Sequence, residues 1–265
     1  MAVRYRCFVG IAVVVLASCS PRTSPSPTPP PGMAVEAKAQ AVYALDTSAR
    51  SKWPVIAPRV HSVVLKSSAT TLVALVDYAS SNTVVDPYKD NFRYVIDGDG
   101  VCQVEATKIP VKAGDLVVAP LGVARGCTAH SKTLTLLTVS FARGQSRVGI
   151  SLQAPPAGRI NAAKQMHSLA VVKTGSITQG LYEGYYGEIL AAKGGDLTGA
   201  GLGNDVDRFI YVRAGVGSAS LDGRSVRISP GAFIVVPANA RFSMRARGAP
   251  LEALVVVCYR QVSEI

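Results

Sequence analysis

Few side chains in this sequence can hold a metal ion or move a proton, and they are widely scattered. The 265 residues include three histidines, His61, His130 and His167. His61 and His167 each precede a serine and open a strand-like segment. They read as repeated structural residues, with a shared metal site as the alternative. His130 follows Cys127 in a loop and reads as exposed. No serine or cysteine stands with a histidine and an acid in an order that suggests nucleophilic catalysis. Tyr182, Tyr185 and Tyr186, with Glu183 or Glu188, are of the types that exchange protons. They crowd into "GSITQGLYEGYYGE" (175–188), which equally suits a lid or an inter-domain contact. Asp97 and Asp99 of "DGDG" fit a hairpin turn better than a calcium site. No catalytic residue is assigned from the sequence.

The elements that position these residues begin after a distinctive N-terminus. Residues 1–18 have a basic start, Arg4 and Arg6, and an eleven-residue apolar core from Cys7 to Ala17. A membrane-spanning helix needs about 20 such residues, so the segment reads as a signal peptide. "LASC", ending at Cys19, resembles the bacterial lipobox, whose cysteine is acylated and becomes the mature N-terminus. The resemblance implies lipidation of Cys19 and attachment to a membrane through that anchor. Residues 19–32, "CSPRTSPSPTPPPG", read as a Pro/Ser-rich extended tether. Ser20 beside the cysteine is similar to the residue that permits export to the outer membrane in enteric lipoproteins. The expected location is therefore an outer-membrane lipoprotein facing the periplasm, or the outer face of the cell membrane.

The net charge is +11, and removing residues 1–18 removes two arginines and no acid, leaving +9. That charge suits an anionic lipid, an acidic polysaccharide or an anionic small molecule, or simply a basic surface. Nucleic acid is not expected, because no Lys/Arg-rich run, finger spacing or aromatic-plus-basic strand motif occurs. Cys102, Cys127 and Cys258 follow the tether. Export permits a disulfide, and an odd number leaves at least one thiol free or paired between chains.

The chain repeats itself. "NFRYVIDGDGVCQVEATKIPVKAGDLVVAPLGVARGC" (91–127) aligns without a gap to "RFIYVRAGVGSASLDGRSVRISPGAFIVVPANARFSM" (208–244), a separation of 117. Phe92, Tyr94, Gly98, Gly114 and Pro120 recur as Phe209, Tyr211, Gly215, Gly231 and Pro237. "HSVVLK" from His61 is echoed by "HSLAVVK" from His167 at a separation of 106. That mismatch places an eleven-residue shift in 175–188 or in 193–205. A period this long means two tandem domains. Each copy alternates short β-prone runs with Gly-bearing turns, the pattern of an all-β sandwich or barrel. A short helix is expected only within Met33–Leu45. The expected division is 33–58 as an N-terminal extension, 59–145 as a first barrel and 146–265 as a second, with 152–165 as the connection.

"YVIDGDG" followed by "KAGDLVVAPLGVARG", and "YVRAGVG" followed by "SPGAFIVVPANARF", resemble the cupin signature. The resemblance implies two tandem jelly-roll β-barrels, a bicupin, over roughly Arg59 to Arg260. Enzymatic cupins hold a metal with His-x-His, a Glu and a later His. Carried onto this chain, the Glu position falls on Asn91 and Arg208, and the later His position on Arg125 and Phe242. The two segments matching His-x-His, 82–90 and 199–207, contain no histidine. The resemblance therefore implies barrels without the usual metal, and no cofactor is expected.

Strand alternation puts Asn91, Arg93 and Val95 on one face, Arg125 and Cys127 on another, and Cys102 with Val104. The first barrel then gathers Asn91, Arg93, Cys102, Arg125 and Cys127. The second gathers Arg208, Ile210, Ala219, Phe242 and Met244, mostly apolar. Arg93 and Arg125 either bind an anion through bidentate donors or sit at the rim bonded to backbone or water. Cys102 and Cys127 either form a disulfide or line the pocket as thiols. The function expected is a lipid-anchored bicupin binding an anionic small molecule or saccharide, or serving a structural role in the cell envelope. Its rival is a metal-independent isomerase, epimerase or lyase acting on a sugar or carboxylate.

Overall fold

A computed structural model describes residues 42–44, 55–57, 60–67, 71–78, 82–85, 89–130, 133–142, 157–172, 174–184, 186–198 and 205–259. All of them lie in one compact unit, Gln40–Ile265. The leader, Cys19, the tether and Tyr185 lie outside the described residues.

The first half carries β1 (Val42–Ala44), β2 (Val55–Ala57), β3 (Val60–Ser67), β4 (Thr71–Tyr78), β5 (Asn82–Val85) and β6 (Lys89–Asp97). It continues with β7 (Asp99–Val104), β8 (Thr107–Lys112), β9 (Asp115–Ala119), β10 (Ala124–Ala129) and β11 (Leu134–Ala142). The second half has β12 (Gly158–Asn161), helix α1 (Ala162–Ser168), β13 (Ser176–Gly184), β14 (Gly187–Gly194) and β15 (Asp207–Ala214). It ends with β16 (Gly217–Leu221), β17 (Arg224–Ile228), β18 (Ala232–Val236), β19 (Phe242–Ala246) and β20 (Leu251–Cys258). The fold is all-β, as two tandem jelly-roll barrels.

Each barrel is a large sheet facing a small one. The first pairs β12-β9-β6-β11-β4-β3-β2 with β5-β10-β7-β8, and the second pairs β1-β18-β15-β20-β14-β13 with β17-β16-β19. Strand alternation gives the central strands of each large sheet two apolar faces. Val95, Val117 and Leu136 point into the first barrel with Cys102, Val104 and Val111. Ile210, Val212, Ala253 and Val255 point into the second with Ala219 and Met244. The opposite faces meet each other: Phe92, Tyr94, Leu137 and Phe141 pack with Phe209, Tyr211, Leu254 and Val256 in one shared core. The large sheets are thus apolar on both sides, which is why their strands read as continuous hydrophobic runs rather than clean alternation.

The repeat extends to individual backbone bonds. Gly114 N–H donates to Val95 O and Gly231 N–H to Val212 O, both at 2.9 Å. A register shift occurs at Val95/Asp97 and recurs at Val212/Ala214. After each shift comes a left-handed glycine, Gly98 at φ 87 and Gly215 at φ 86. A Cβ on Gly98 would lie 2.3 Å from Thr133 O, and one on Gly215 2.6 Å from Pro250 O. Glycine is needed there for both torsion and space.

Three expectations are corrected. The "HSVVLK" and "HSLAVVK" segments are not structural counterparts: His61 lies in strand β3, whereas His167 lies in helix α1. The β3–β4 hairpin instead matches β13–β14, and Thr71 to Gly187 is a separation of 116, so no eleven-residue shift falls in 175–188. Sequence similarity between two short Val-rich runs is weak evidence of register. Within Met33–Leu45, Val42–Ala44 is a strand, and the rest of that segment lies outside the described residues. The helix is at 162–168, where the Asn161 side chain caps it by accepting from Lys164 N–H at 2.8 Å.

The two halves also exchange strands. Val42 of β1 pairs with Ile234 in the second barrel, while Arg159 of β12 pairs with Val117 in the first. Each pair is displaced from the other by the same 117 positions, so the exchange is reciprocal. The connection between the halves therefore supplies an edge strand to the barrel it leaves.

Candidate functional site

In the first barrel, β6 and β10 carry the candidate residues inward. Asn91 and Arg93 are buried two residues apart on one face of β6. Arg93 Nε donates to Asn91 Oδ1 at 3.0 Å, and Asn91 Nδ2 donates to Ser140 Oγ at 2.8 Å. Arg93 Nη1 lies 3.2 Å from Cys127 Sγ. Arg125, only 4 % exposed, stands opposite Val104, whose side chain is part of the barrel's interior core. Cys102 and Cys127 are directly opposed on β7 and β10 and form a disulfide, so they are not pocket thiols. The bond fixes β10, the strand that bears Arg125, to β7. Cys258 is a buried free thiol in the shared core, its pKa pushed up to about 12 mainly by burial. It is unsuited to nucleophilic chemistry.

The second barrel is not wholly apolar. Arg208, also 4 % exposed, takes the position of Asn91, and its guanidinium carbon lies 5.3 Å from the centre of the Phe242 ring. Phe242 takes the position of Arg125 and Ile210 that of Arg93, so the first barrel buries arginines on β6 and β10 and the second buries one on β15. Arg208 Nη1 reaches Thr198 O at 3.4 Å, and its buried Nε makes no hydrogen bond among the described residues. Burial lowers the Arg208 pKa, yet a guanidinium stays charged at any ordinary pH. Nor does Arg208 form an ion pair among the described residues.

On the same sheet, beyond β20, stands a carboxylate pair. Glu183 and Glu188 are cross-strand partners in the β13–β14 hairpin. Glu188 and Arg208 flank Val257 of β20 from either side, which sets all three on the inner face of the large sheet. The Glu188 pKa is raised, first by burial and then by the Glu183 charge; a hydrogen bond from the Tyr259 hydroxyl acts the other way. Tyr259 is itself raised by burial and by these two carboxylates. By contrast Tyr182 is taken up by packing: its ring stacks on Phe141 at 5.7 Å and lies 4.2 Å from Phe92. Tyr186 also packs against the shared core. His130 is exposed near Asp99, and the side chain of His61 is outside the described residues. Among the described residues no group of three or more His, Cys, Asp or Glu converges to hold a metal.

Two carboxylates escaped the sequence reading. Asp90 Oδ1 accepts from Leu121 N–H at 2.9 Å, and Asp207 Oδ1 from Ala238 N–H at 2.8 Å. Each ties the strand bearing the site to the loop after Pro120 or Pro237. The signal was present: aspartate precedes Asn91 and Arg208 in both copies. Asp207 also takes an ion pair from Lys66 of the other half.

Residues 193–257 match the Cupin domain family. No curated protein matches the chain in sequence. Among solved structures, the chain is similar to a Cupin 2 conserved barrel domain protein from Leptotrichia buccalis, with 16 % identity and a TM-score of 0.63, covering 83 % of this chain and 96 % of that one. It is similar to a putative glyoxylate-induced protein from Pseudomonas aeruginosa, at 14 % identity and TM-score 0.61 over 78 % and 83 % of the two chains. A salicylate 1,2-dioxygenase variant from Pseudoaminobacter salicylatoxidans, in complex with gentisate, gives 13 % and 0.60 over 82 % and 81 %. At such identities the likenesses establish the fold. With the domain match, they support the cupin superfamily.

Proposed function

We propose that this chain is a lipid-anchored bicupin, without the family's usual metal ligands, that binds an anionic small molecule or acidic saccharide inside its barrels. The observation that carries this reading is Arg208, buried in the second barrel with an Nε that makes no hydrogen bond among the described residues; Arg125 is likewise buried in the first, and both fall where the resemblance would put a metal ligand. A cation inside an apolar barrel is costly unless an anion or strong acceptors compensate it. A guanidinium offers a planar fork suited to carboxylate or phosphate. The Cys19 anchor and the Pro/Ser-rich tether would hold such a domain at the envelope surface. A thermal-shift screen of small carboxylates, phosphate esters and uronic acids tests it. A true ligand at a hundredfold excess over its Kd adds about 2.7 kcal/mol of stability. That gain should vanish in Arg208→Ala or Arg125→Ala. A panel with no stabilising member, or a gain that survives both substitutions, sinks the reading.

The second reading is a metal-independent isomerase, epimerase or lyase. Glu188, held protonated more readily than an ordinary glutamate and bonded to Tyr259, supports it. Arg208 on the same face would orient a carboxylate substrate. Turnover of the stabilising ligand, lost in Glu188→Gln while binding persists, separates catalysis from simple binding.

A further inference from the structure

The small sheet of the second barrel has an inner face and an outer face, and the outer one is unusual. Ala219 of β16 and Met244 of β19 face inward as buried cross-strand partners, with Val226 of the exposed edge strand β17 in the same row. The alternate rows face out: Arg227, Ser218 and Arg245, then Ser225, Ser220 and Ser243. Arg241 and Arg247 continue the outward parity of β19 at its two ends and are exposed, as are Arg227 and Arg245. Four guanidinium groups thus stand around a floor of serines. Two acids are near: Asp196 pairs with Arg245 at 3.3 Å, and Asp222 accepts from the Arg241 backbone N–H at 2.9 Å. Four cations against two carboxylates leave the face positive.

The first barrel provides an internal comparison. Its small sheet has the same register, Cys127–Cys102–Ile109 standing where Met244–Ala219–Val226 stand. At the positions of Arg227, Arg241, Arg245 and Arg247 it carries Pro110, Ala124, Thr128 and His130. The barrel folds without a single arginine on that face, so the four are not required by the architecture. Between the guanidinium groups the outward rows carry only serines, so the face is cationic with no apolar side chain among them, and charge complementarity favours an anionic surface.

We infer that the outer face of β17-β16-β19 docks on a bilayer surface rich in anionic phospholipid. Each arginine near such a surface adds to affinity, and the attraction is screened within a Debye length. The inference goes beyond ligand binding inside the barrels and does not depend on it. The test is sedimentation of the full chain with phosphatidylcholine vesicles, with and without phosphatidylglycerol. Neutral vesicles report what the N-terminus contributes. Acidic vesicles should bind about tenfold more tightly at low salt, and the advantage should collapse in half-molar salt, on the order of a 4 Å Debye length. Arg227→Glu with Arg247→Glu should remove most of it. Lys108→Glu with Lys112→Glu, on the first barrel's equivalent sheet, changes the net charge equally and should leave most of it intact. Equal loss in both double variants would reduce the effect to net charge and overturn the inference. So would no preference for acidic vesicles, or an arginine-dependent preference for a soluble acidic polysaccharide instead. Unchanged circular dichroism in both variants keeps the comparison valid.

Discussion

Glu252 shows what a single side chain does in this fold. It is buried at the end of the shared core, with Lys193 Nζ at 3.3 Å and His167 Nδ1 at 3.4 Å, and it is ion-paired to Arg213. Burial alone would raise its pKa; the bonds from Arg213 and Lys193 outweigh burial and hold it below the usual glutamate value. A depressed carboxylate contributes stability above its unfolded pKa of about 4.3, and that contribution fades as pH falls through the folded value. Glu252→Gln should therefore cost about 2 kcal/mol at pH 7, discounted for the partly exposed Arg213. The gap from the parent should narrow below pH about 4. Urea melts at pH 7 and at pH 3 measure it, and a gap that does not change with pH contradicts this account. Of the site residues, the inward set of each barrel was legible from strand parity. The partner of each was not: nothing in the order of residues tells that Arg93 bonds Asn91 or that Arg208 lies over Phe242. The first depends on the rotamers of two neighbours on one strand, the second on which strands the barrel brings face to face.

At the scale of elements, the turn glycines are the most legible feature and the most demanding. Gly215 and Gly223 are both left-handed, at φ 86 and φ 82. They differ in space. A Cβ at Gly215 meets Pro250 O at 2.6 Å, whereas at Gly223 nothing lies within 4 Å. Both alanine substitutions incur the torsional cost of about 1 kcal/mol. Only Gly215→Ala must also push backbone aside, so it should lose at least about 2 kcal/mol more, in the range of overpacking. Equal losses in denaturant titrations would show that the close approach does not matter. The strands around these turns were readable from their β-branched residues, whereas α1 was not. Its seven residues are too short for a periodic signal, and its position is set by the Asn161 cap and by Ala162 and Met166 entering the shared core.

At the scale of the molecule, the two barrels have one core between them, and β1 and β12 tie each half to the other. Neither large sheet can expose its outer face to water without uncovering Phe92 and Tyr94, or Phe209 and Tyr211. The chain should thus unfold in a single transition. Cys258, fully buried in that shared core, is a reporter: its thiol should stay unreactive until secondary structure is lost, with both probes giving one midpoint. A thiol that reacts at markedly lower denaturant would mean that the halves come apart first. By itself the sequence determined that this is a duplicated β-barrel without clustered histidines. Turn glycines, prolines and strand periodicity are local requirements written directly into residue order. Tertiary structure alone decided the offset of the hairpins, the exchange of β1 and β12, the disulfide, and the placing of Glu188 and Arg208 on one sheet face with Val257 between them. Those depend on contacts between residues far apart in the chain, and such contacts leave no periodic trace along it.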